Sequence, residues 1–393
     1  MGTRRPPLRG GFTLATAHGG GPAASVGRMR VVIIGGDGPE PTLFLAGRDG
    51  TRTRLAGPLR SAAAGADVVV WTRTVGGRTA ADRDLARARG LGLPAFAGLG
   101  AAGLCTLLRS LPVFLADVAE LTAAAPGARL IVVGDQAGAL AQAAAGPLDG
   151  RVVGVGSGSA LVARTRAALG TPGPGRSRDA ACAEIDYLGM DRIGWLRSLR
   201  IDGREQLTDL LTDPDRLARL ADARLFPPGA LAAMGAVATA DVHRCTAWRD
   251  LPDHAGTPPG GPGSGPVEDR GAVVTGLLAS LRGEPGRFVL HVVNGGTVAA
   301  LPPRLVLELA CRVDRSGVHP ERTHAPGLGQ LGLLAAVRDA ELVAVAAVRA
   351  GSRSQAGRAL AASPLVASVQ AGHAVLGRLL DDEPDVRAAF SRP

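Results

Sequence analysis

Few residues in this chain are able to do chemistry, and their spacing limits what they could do. Cys105, Cys182, Cys245 and Cys311 stand far apart, with no C-x-x-C pair. Neither a thiolate metal knuckle nor a redox dithiol is encoded. His243, His254, His291, His319, His324 and His373 show no paired metal spacing, and a lone imidazole is more often structural. Tyr187 is the single tyrosine. It opens the stretch YLGMDRIGWLRSLRIDG (187–203), a strand-like context in which packing is its expected role. All 44 basic residues are arginine, which excludes Schiff-base chemistry, pyridoxal-phosphate attachment and the P-loop lysine.

Two glycine-rich turns remain. GGDG (35–38) ends an apolar run, where a dinucleotide pyrophosphate would sit, so Gly35, Gly36 and Gly38 are the cofactor-binding candidates. GVGSGS (154–159) closes a second run before a helix. Its amides could hold an anion, but a helix cap by Ser157 or Ser159 is the simpler expectation. Val155 takes the first glycine's place, so a G-x-S-x-G nucleophile elbow is excluded. The pair Asp381-Asp382 falls in a polar stretch and reads as solvated.

The elements that must position these residues are legible as short apolar runs at 30–34, 66–71, 129–133 and 151–155. Runs without polar alternation suit strands buried on both faces of a parallel sheet. Helix-like segments at 78–89, 102–124 and 136–146 lie between them. The expected fold class is α/β, a Rossmann-like doubly wound parallel sheet followed by a mixed α+β C-terminal domain. GTPGPGRSR (170–178) and DHAGTPPGGPGSGP (253–266) read as loops, the second exposed and mobile. Strands are predicted at 288–294 and 304–314, and helices over about 325–350 and 354–381. The domains divide as 29–178 and 179–393, with 1–28 a disordered extension.

A hydrophobic fraction of 46% and a charged fraction of 20% are those of a globular chain. The net charge of +9 comes with only 3% aromatics. Arginines are scattered among acids, as in RTAADRDLARAR (78–89), so nucleic-acid binding is not expected. Cysteine usage suits a reduced, cytoplasmic protein with buried thiols. No apolar run is expected to reach membrane-spanning length; the helix-like 327–350 is interrupted by Arg338, Asp339 and Glu341.

Nine segments in order resemble glycoside hydrolase family 4, the NAD- and divalent-metal-dependent 6-phospho-glycosidases. They include MRVVIIGG (29–36), GADVVVWTRTVGG (65–77), LRSLPVFL (108–115), GARLIVVGDQAG (127–138) and RVVGVGSG (151–158). YLGMDRIGWLRSLRIDG, VVNGG (292–296), ACRVDRSGVHP (310–320) and GSRSQAGRALAASPLV (351–366) complete the set, and GALAAMGAV (229–237) stands where the family's tyrosine pattern falls. The resemblance implies transient oxidation of the sugar by NAD, with a metal held by Cys and His and a tyrosine as base. Matched onto this chain, the cysteine position is Gly156, the histidine position Arg192 and the tyrosine position close to Gly235. The polar loop of the family becomes AFAGLGAAG (95–103), and its substrate-contacting Asn becomes Asp135. The matched substrate-side positions are thus Asp135, Arg192 and Asn294, with no catalytic residue and no metal ligand left.

The dinucleotide half is also too short. Only Pro39–Ser61 separates GGDG from the next strand, and a parallel crossover needs about a dozen residues or more with its helix. The sheet is therefore expected to lack at least one βα unit, with PEPTLFLAGRDG (39–50) either helix or strand. Asp49 is the nearest ribose ligand and arrives early. Arg192 is expected to fill the vacated cation site and to pair with Asp135 or Asp191. The resulting expectation is a 6-phospho-β-glucosidase-like protein without activity, a scaffold or an oligomer partner. A sugar-phosphate- or nucleotide-binding regulator and an active NAD-dependent hydrolase are the alternatives. The family's cofactors are NAD and Mn²⁺; the metal is not expected here, and NAD binding is in doubt. A homo-oligomer, or a hetero-oligomer with an active relative, is the expected assembly.

Overall fold

A computed structural model describes residues 29–38, 40–46, 52–170, 183–220, 226–227, 229–247 and 270–390. The expected extension 1–28, Asp49, Cys182, the loop 253–266 and most of 170–178 lie outside them.

The predicted apolar runs form β1 (Val31–Gly35), β4 (Val68–Trp71), β5 (Arg129–Val133) and β6 (Val152–Val155). They pair in parallel in the order β1-β4-β5-β6. Val32 and Ile34 feed the core on one face of the sheet, Val31 and Ile33 that on the other, the period of a doubly covered strand. The helices α2 (Gly77–Arg89), α3 (Gly100–Ala124), α4 (Ala137–Ala145) and α5 (Gly158–Ala168) follow these strands.

Between β1 and β4 the missing βα unit is replaced by a hairpin. After GGDG the chain turns into β2 (Thr42–Ala46), antiparallel to β1 with Gly35 opposite Thr42. β3 (Arg52–Leu55) then pairs antiparallel to β2, and the five-residue α1 (Leu59–Ala63) leads into β4. Of the two options for 39–50, strand is the one found.

The second half extends the same sheet. β7 (Glu184–Met190), β8 (Ile193–Ile201), β11 (Gly286–Val293) and β12 (Val306–Asp314) add antiparallel strands. With β9 (Arg204–Glu205), β10 (Val237–Ala238) and β13 (Gly317–Pro320) the sheet has 13 strands among the described residues. β11 inserts between β6 and β12, joined to β6 through His291 opposite Gly154. The helices α6 (Leu207–Leu211), α7 (Pro214–Leu217), α8 (Ala230–Met234), α9 (Ala240–Ala247) and α10 (Arg270–Arg282) lie along this half.

The chain closes with α11 (Leu328–Ala350), α12 (Arg353–Ala362), α13 (Val369–Asp382) and α14 (Pro384–Ala389). The single helix expected over 354–381 is two, because Pro364 cannot continue the first and Ser368 caps the second by accepting from Ala371 N–H. One further expectation is corrected. α3 has the length and composition of a membrane span, yet 72% of that window is buried inside the protein. It is the central core helix, and its two buried charges are paired: Asp117 with Arg73 at 3.0 Å, Arg109 with Asp84 at 2.7 Å. Arg87 and Arg109 also bind Glu383, tying α2 and α3 to the last turns of the chain. Asp382 joins this network by accepting from Arg87 Nε at 2.9 Å.

Candidate functional site

Asp135 follows β5, Gly156 follows β6, and Asp191-Arg192 form the tight turn between β7 and β8. The carboxyl ends of parallel strands are where α/β folds place their sites. Asp191 sits in the left-handed region (φ 50°), which a short polar side chain tolerates. β11 and α11 close the place from the far side with His291, Arg338 and Glu341.

Arg192 meets its expectation in part. Its Nη1 lies 3.7 Å from Asp135 Oδ1, but its main partner is Asp241 Oδ2, at 2.7 Å from Nε. Asp191 is not its partner. That carboxylate turns inward instead and accepts from Gly138 N–H at 2.7 Å. Asp135 accepts its hydrogen bond from Arg270 Nη2 at 2.6 Å, and Arg244 pairs with Asp241 at 2.6 Å. The hint for Asp241 and Arg244 was an i,i+3 pair on one helix, a spacing too common to stand out.

His291 is the residue that sequence reasoning passed over. Its ring is fully buried, and its Nε2 accepts from Asp191 N–H at 2.7 Å. A neutral ring with its proton on Nδ1 follows from that bond. The imidazole lies on a floor of glycines. A β-carbon at Gly138 would stand 2.5 Å from His291 Cδ2, and one at Gly154 would stand 2.9 Å from His291 Cβ. At Gly156 it would strike His291 Cε1 and stand 2.7 Å from Glu308 Oε1. The ring therefore occupies the space that a cysteine at 156 would need.

A second ring fills the adjacent space. Tyr187 is fully buried and donates to Glu308 Oε2 at 3.0 Å. A β-carbon at Gly194 would collide with its hydroxyl, and one at Gly189 or Gly158 would stand 2.7 or 2.8 Å from its ring. Glu308 Oε1 accepts from Gly158 N–H at 2.9 Å, so this distant carboxylate caps α5. The expected cap by Ser157 or Ser159 is corrected: their hydroxyls donate to Asp191 O and Val289 O, bracing the helix against β8 and β11.

Arg338, 1% exposed, is the cation of the inner site. It donates to Glu341 Oε2 at 2.6 Å and to Val306 O at 3.0 Å, and its Nη2 lies 3.8 Å from Asp191 Oδ2. Four guanidinium groups (Arg192, Arg244, Arg270, Arg338) thus face four carboxyl groups (Asp135, Asp191, Asp241, Glu341). Burial and the Asp191 charge push the Glu341 carboxyl up, against the pull of Arg338. Burial likewise pushes the Cys245 thiol up to about 12 and raises Cys105 and Cys311, so none of the three is a nucleophile. What remains open is a cleft of about 40 Å³ between the start of α3, Asp191 and Glu341.

The other candidates lie elsewhere. Gly35, Gly36 and Gly38 form the turn into β2, where a strand, not a helix N-terminus, follows. A dinucleotide held at a helix start does not fit there. Asn294 is fully buried, donates to Val298 O and Leu301 O at 3.0 Å, and accepts from Val298 N–H at 2.7 Å. Its amide is committed to its own loop. Gly235 closes α8 in the left-handed conformation (φ 65°). A divalent metal does not fit either, since position 156 has no side chain, position 192 is a cation, and the His291 Nε2 lone pair is taken. Among the described residues no three His, Cys, Asp or Glu side chains are arranged to hold a metal ion.

Burial, together with Arg338 and Arg270, holds the His291 imidazole down at about 4, although Asp191 and the Gly154 backbone pull the other way. The unfolded chain takes up this proton first, near pH 6.5. Stability from the neutral ring is therefore full above pH 6.5 and falls as pH drops through 6.5 toward 4, by about 3 kcal/mol in all. Urea unfolding between pH 7.5 and 4.5 checks this: His291→Asn is expected to flatten the fall, and an unchanged slope would remove the imidazole as its cause.

Residues 268–366 match the model of the family 4 glycosyl hydrolase C-terminal domain. No protein of curated function matches the sequence. Among solved structures, the fold is similar to that of a 6-phospho-β-glucosidase from Thermotoga maritima with manganese, NAD⁺ and glucose-6-phosphate. The identity is 16%, 84% of each chain is covered and the TM-score is 0.71. It is also similar to a 6-phospho-α-glucosidase from gut microorganisms in complex with NAD and Mn²⁺, at 15% identity, 84% coverage of each chain and a TM-score of 0.69.

Proposed function

We propose that this chain, whose residues 268–366 match the family 4 glycosyl hydrolase C-terminal domain, is a member of that family that keeps the fold without the reaction. It acts as a non-catalytic scaffold or oligomer partner, in the cytoplasm, apart from nucleic acid and membrane. The observation that carries this reading is the His291 ring lying where a ligand at 156 would need to be. Arg192 at the second matched ligand position supports it, because a guanidinium is a permanent cation with no free lone pair. The balanced guanidinium and carboxyl groups leave no charge for a metal to neutralise. The hairpin after GGDG supports the loss of the dinucleotide.

The alternative of a sugar-phosphate- or nucleotide-binding regulator draws on one observation, the two arginines Arg192 and Arg270 at the cleft mouth. Asp135 already occupies both. A cleft of about 40 Å³ is also far below the roughly 300 Å³ at which ligand pockets begin. The test is thermal unfolding with NAD, Mn²⁺ or glucose-6-phosphate at millimolar concentration. The midpoint is expected to stay constant with each. A rise of more than about 2 °C with NAD or Mn²⁺ would revive the enzyme reading, and one with glucose-6-phosphate alone the regulator.

A further inference from the structure

At the amino ends of the parallel strands, opposite the cleft, like charges gather without counter-charges. Leu130 and Val152 face one core, while Ile131 and Val153 face the other. Alternation places Arg129 and Arg151 on that second face, and the pairing of Leu130 with Val152 sets them side by side on neighbouring strands. Both are half-buried. The Arg129 side chain makes no hydrogen bond or ion pair among the described residues. Burial, and after it Arg151, holds this guanidinium below its usual range. The turn between β12 and β13 lies on it, since a β-carbon on Gly317 would stand 3.3 Å from Arg129 Nη2. Arg315, two residues earlier in that turn, donates from Nε to Arg282 O at 2.9 Å and has no carboxylate partner among the described residues. The acids at this end are turned elsewhere. Asp67, just before β4, accepts from Arg30 N–H at 2.6 Å, and Asp314 accepts from Ser316 N–H at 2.8 Å. Asp149, with its side chain 94% exposed, lies 3.8 Å from Arg151 Nη1.

Two neighbouring guanidinium groups, partly withdrawn from water, repel each other across one strand spacing, about 4.8 Å. Cations fixed in this way cost stability when alone, and an anion that joins them restores it. The geometry points to a site for condensed phosphate, a chain of three or more linked phosphoryl groups laid along Arg129, Arg151 and Arg315. Guanidinium forks match phosphate oxygens two at a time, and a linear chain offers each fork its own phosphoryl group. A lone phosphomonoester, or the diphosphate diester of a dinucleotide, carries too little charge to hold all three on a solvent-screened edge. The site goes beyond the scaffold reading and is separate from the cleft, which opens about 20 Å away along β5 by strand length.

Thermal unfolding of the full chain at low ionic strength tests it, with inorganic tripolyphosphate and ATP as probes at millimolar concentration. Each is expected to raise the midpoint by more than about 2 °C, and by similar amounts, because only the phosphate chain is held. Arg129→Gln is expected to raise the midpoint of the unliganded chain, by relieving the repulsion, and to weaken both probes at least about tenfold. Arg151→Gln is expected to weaken them equally, which keeps the test open should one variant fold poorly. Arg78→Gln removes the same charge from the exposed face of α2 and is expected to leave the response unchanged. No rise with either probe overturns the site. So does a rise that Arg78→Gln reduces as much as Arg129→Gln, which would mean attraction to net charge alone. A rise with ATP only overturns condensed phosphate as the ligand. A rise with NAD, Mn²⁺ or glucose-6-phosphate that survives Arg129→Gln sinks the scaffold reading and leaves this site standing.

Discussion

Gly156→Cys is expected to lower stability by about 3 kcal/mol or more and to create no metal site. The new β-carbon would strike the His291 ring and stand 2.7 Å from Glu308 Oε1. Neither neighbour can withdraw easily. His291 is fixed by the Asp191 amide, and Glu308 is fixed between Tyr187 and Gly158. Removing the ring in the same chain should reverse the sign of the interaction. Gly156→Cys/His291→Ala is expected to be more stable than Gly156→Cys alone, a coupling on the order of 1 to 3 kcal/mol. Urea midpoints of the four members of the cycle give this number directly. Additive effects would mean that the ring and position 156 do not compete for one space, and the filled-site account would fall. Adding Arg192→His to the double variant then asks whether a Mn²⁺-dependent rise in stability can be rebuilt.

The second large effect belongs to Arg338. Arg338→Ala leaves Asp191 and Glu341 facing each other in the interior without their cation. Breaking a buried pair from one side costs on the order of 3 to 5 kcal/mol. With the guanidinium gone the Glu341 carboxyl, already pushed up by burial, is held protonated more readily, so the deficit is expected to be largest at pH 8 and to shrink toward pH 5. Arg338→Met keeps much of the volume and should lose less at pH 5 than at pH 8. Denaturation at the two pH values separates the charge from the packing, and a deficit of equal size at both would assign Arg338 to packing alone.

Much of this was written in the local sequence. β1, β4, β5 and β6 announce themselves because strands buried on both faces have no polar alternation to disguise them. The loss of a βα unit was readable as a shortage of residues after GGDG. The substituted positions 156, 192 and 135 were legible one at a time, through resemblance. What filled the space was not. His291 comes from β11, Glu308 from β12 and Arg338 from α11, all far from Gly156 in sequence, and a glycine gives no sign of which distant ring will lie on it. The pairing of Arg192 failed in detail for the same reason. Asp191 lay next to it in sequence, but the left-handed turn sends the two side chains to different partners.

The buried charges that join α2 and α3 to the final turns of the chain bear on its synthesis. Asp84 has two guanidinium partners nearby from an early stage, yet Arg87 and Arg109 must wait for Glu383, which is made more than 270 residues later. The seat beside β6 likewise stays open until β11 emerges. A nascent chain therefore leaves the ribosome with a bare strand edge and with two arginines sharing one carboxylate in what will become its interior. Assembly of this sheet is late and nearly all at once, and a chain cut before Glu383 is expected to be suited to proteolysis, not to form a smaller folded protein.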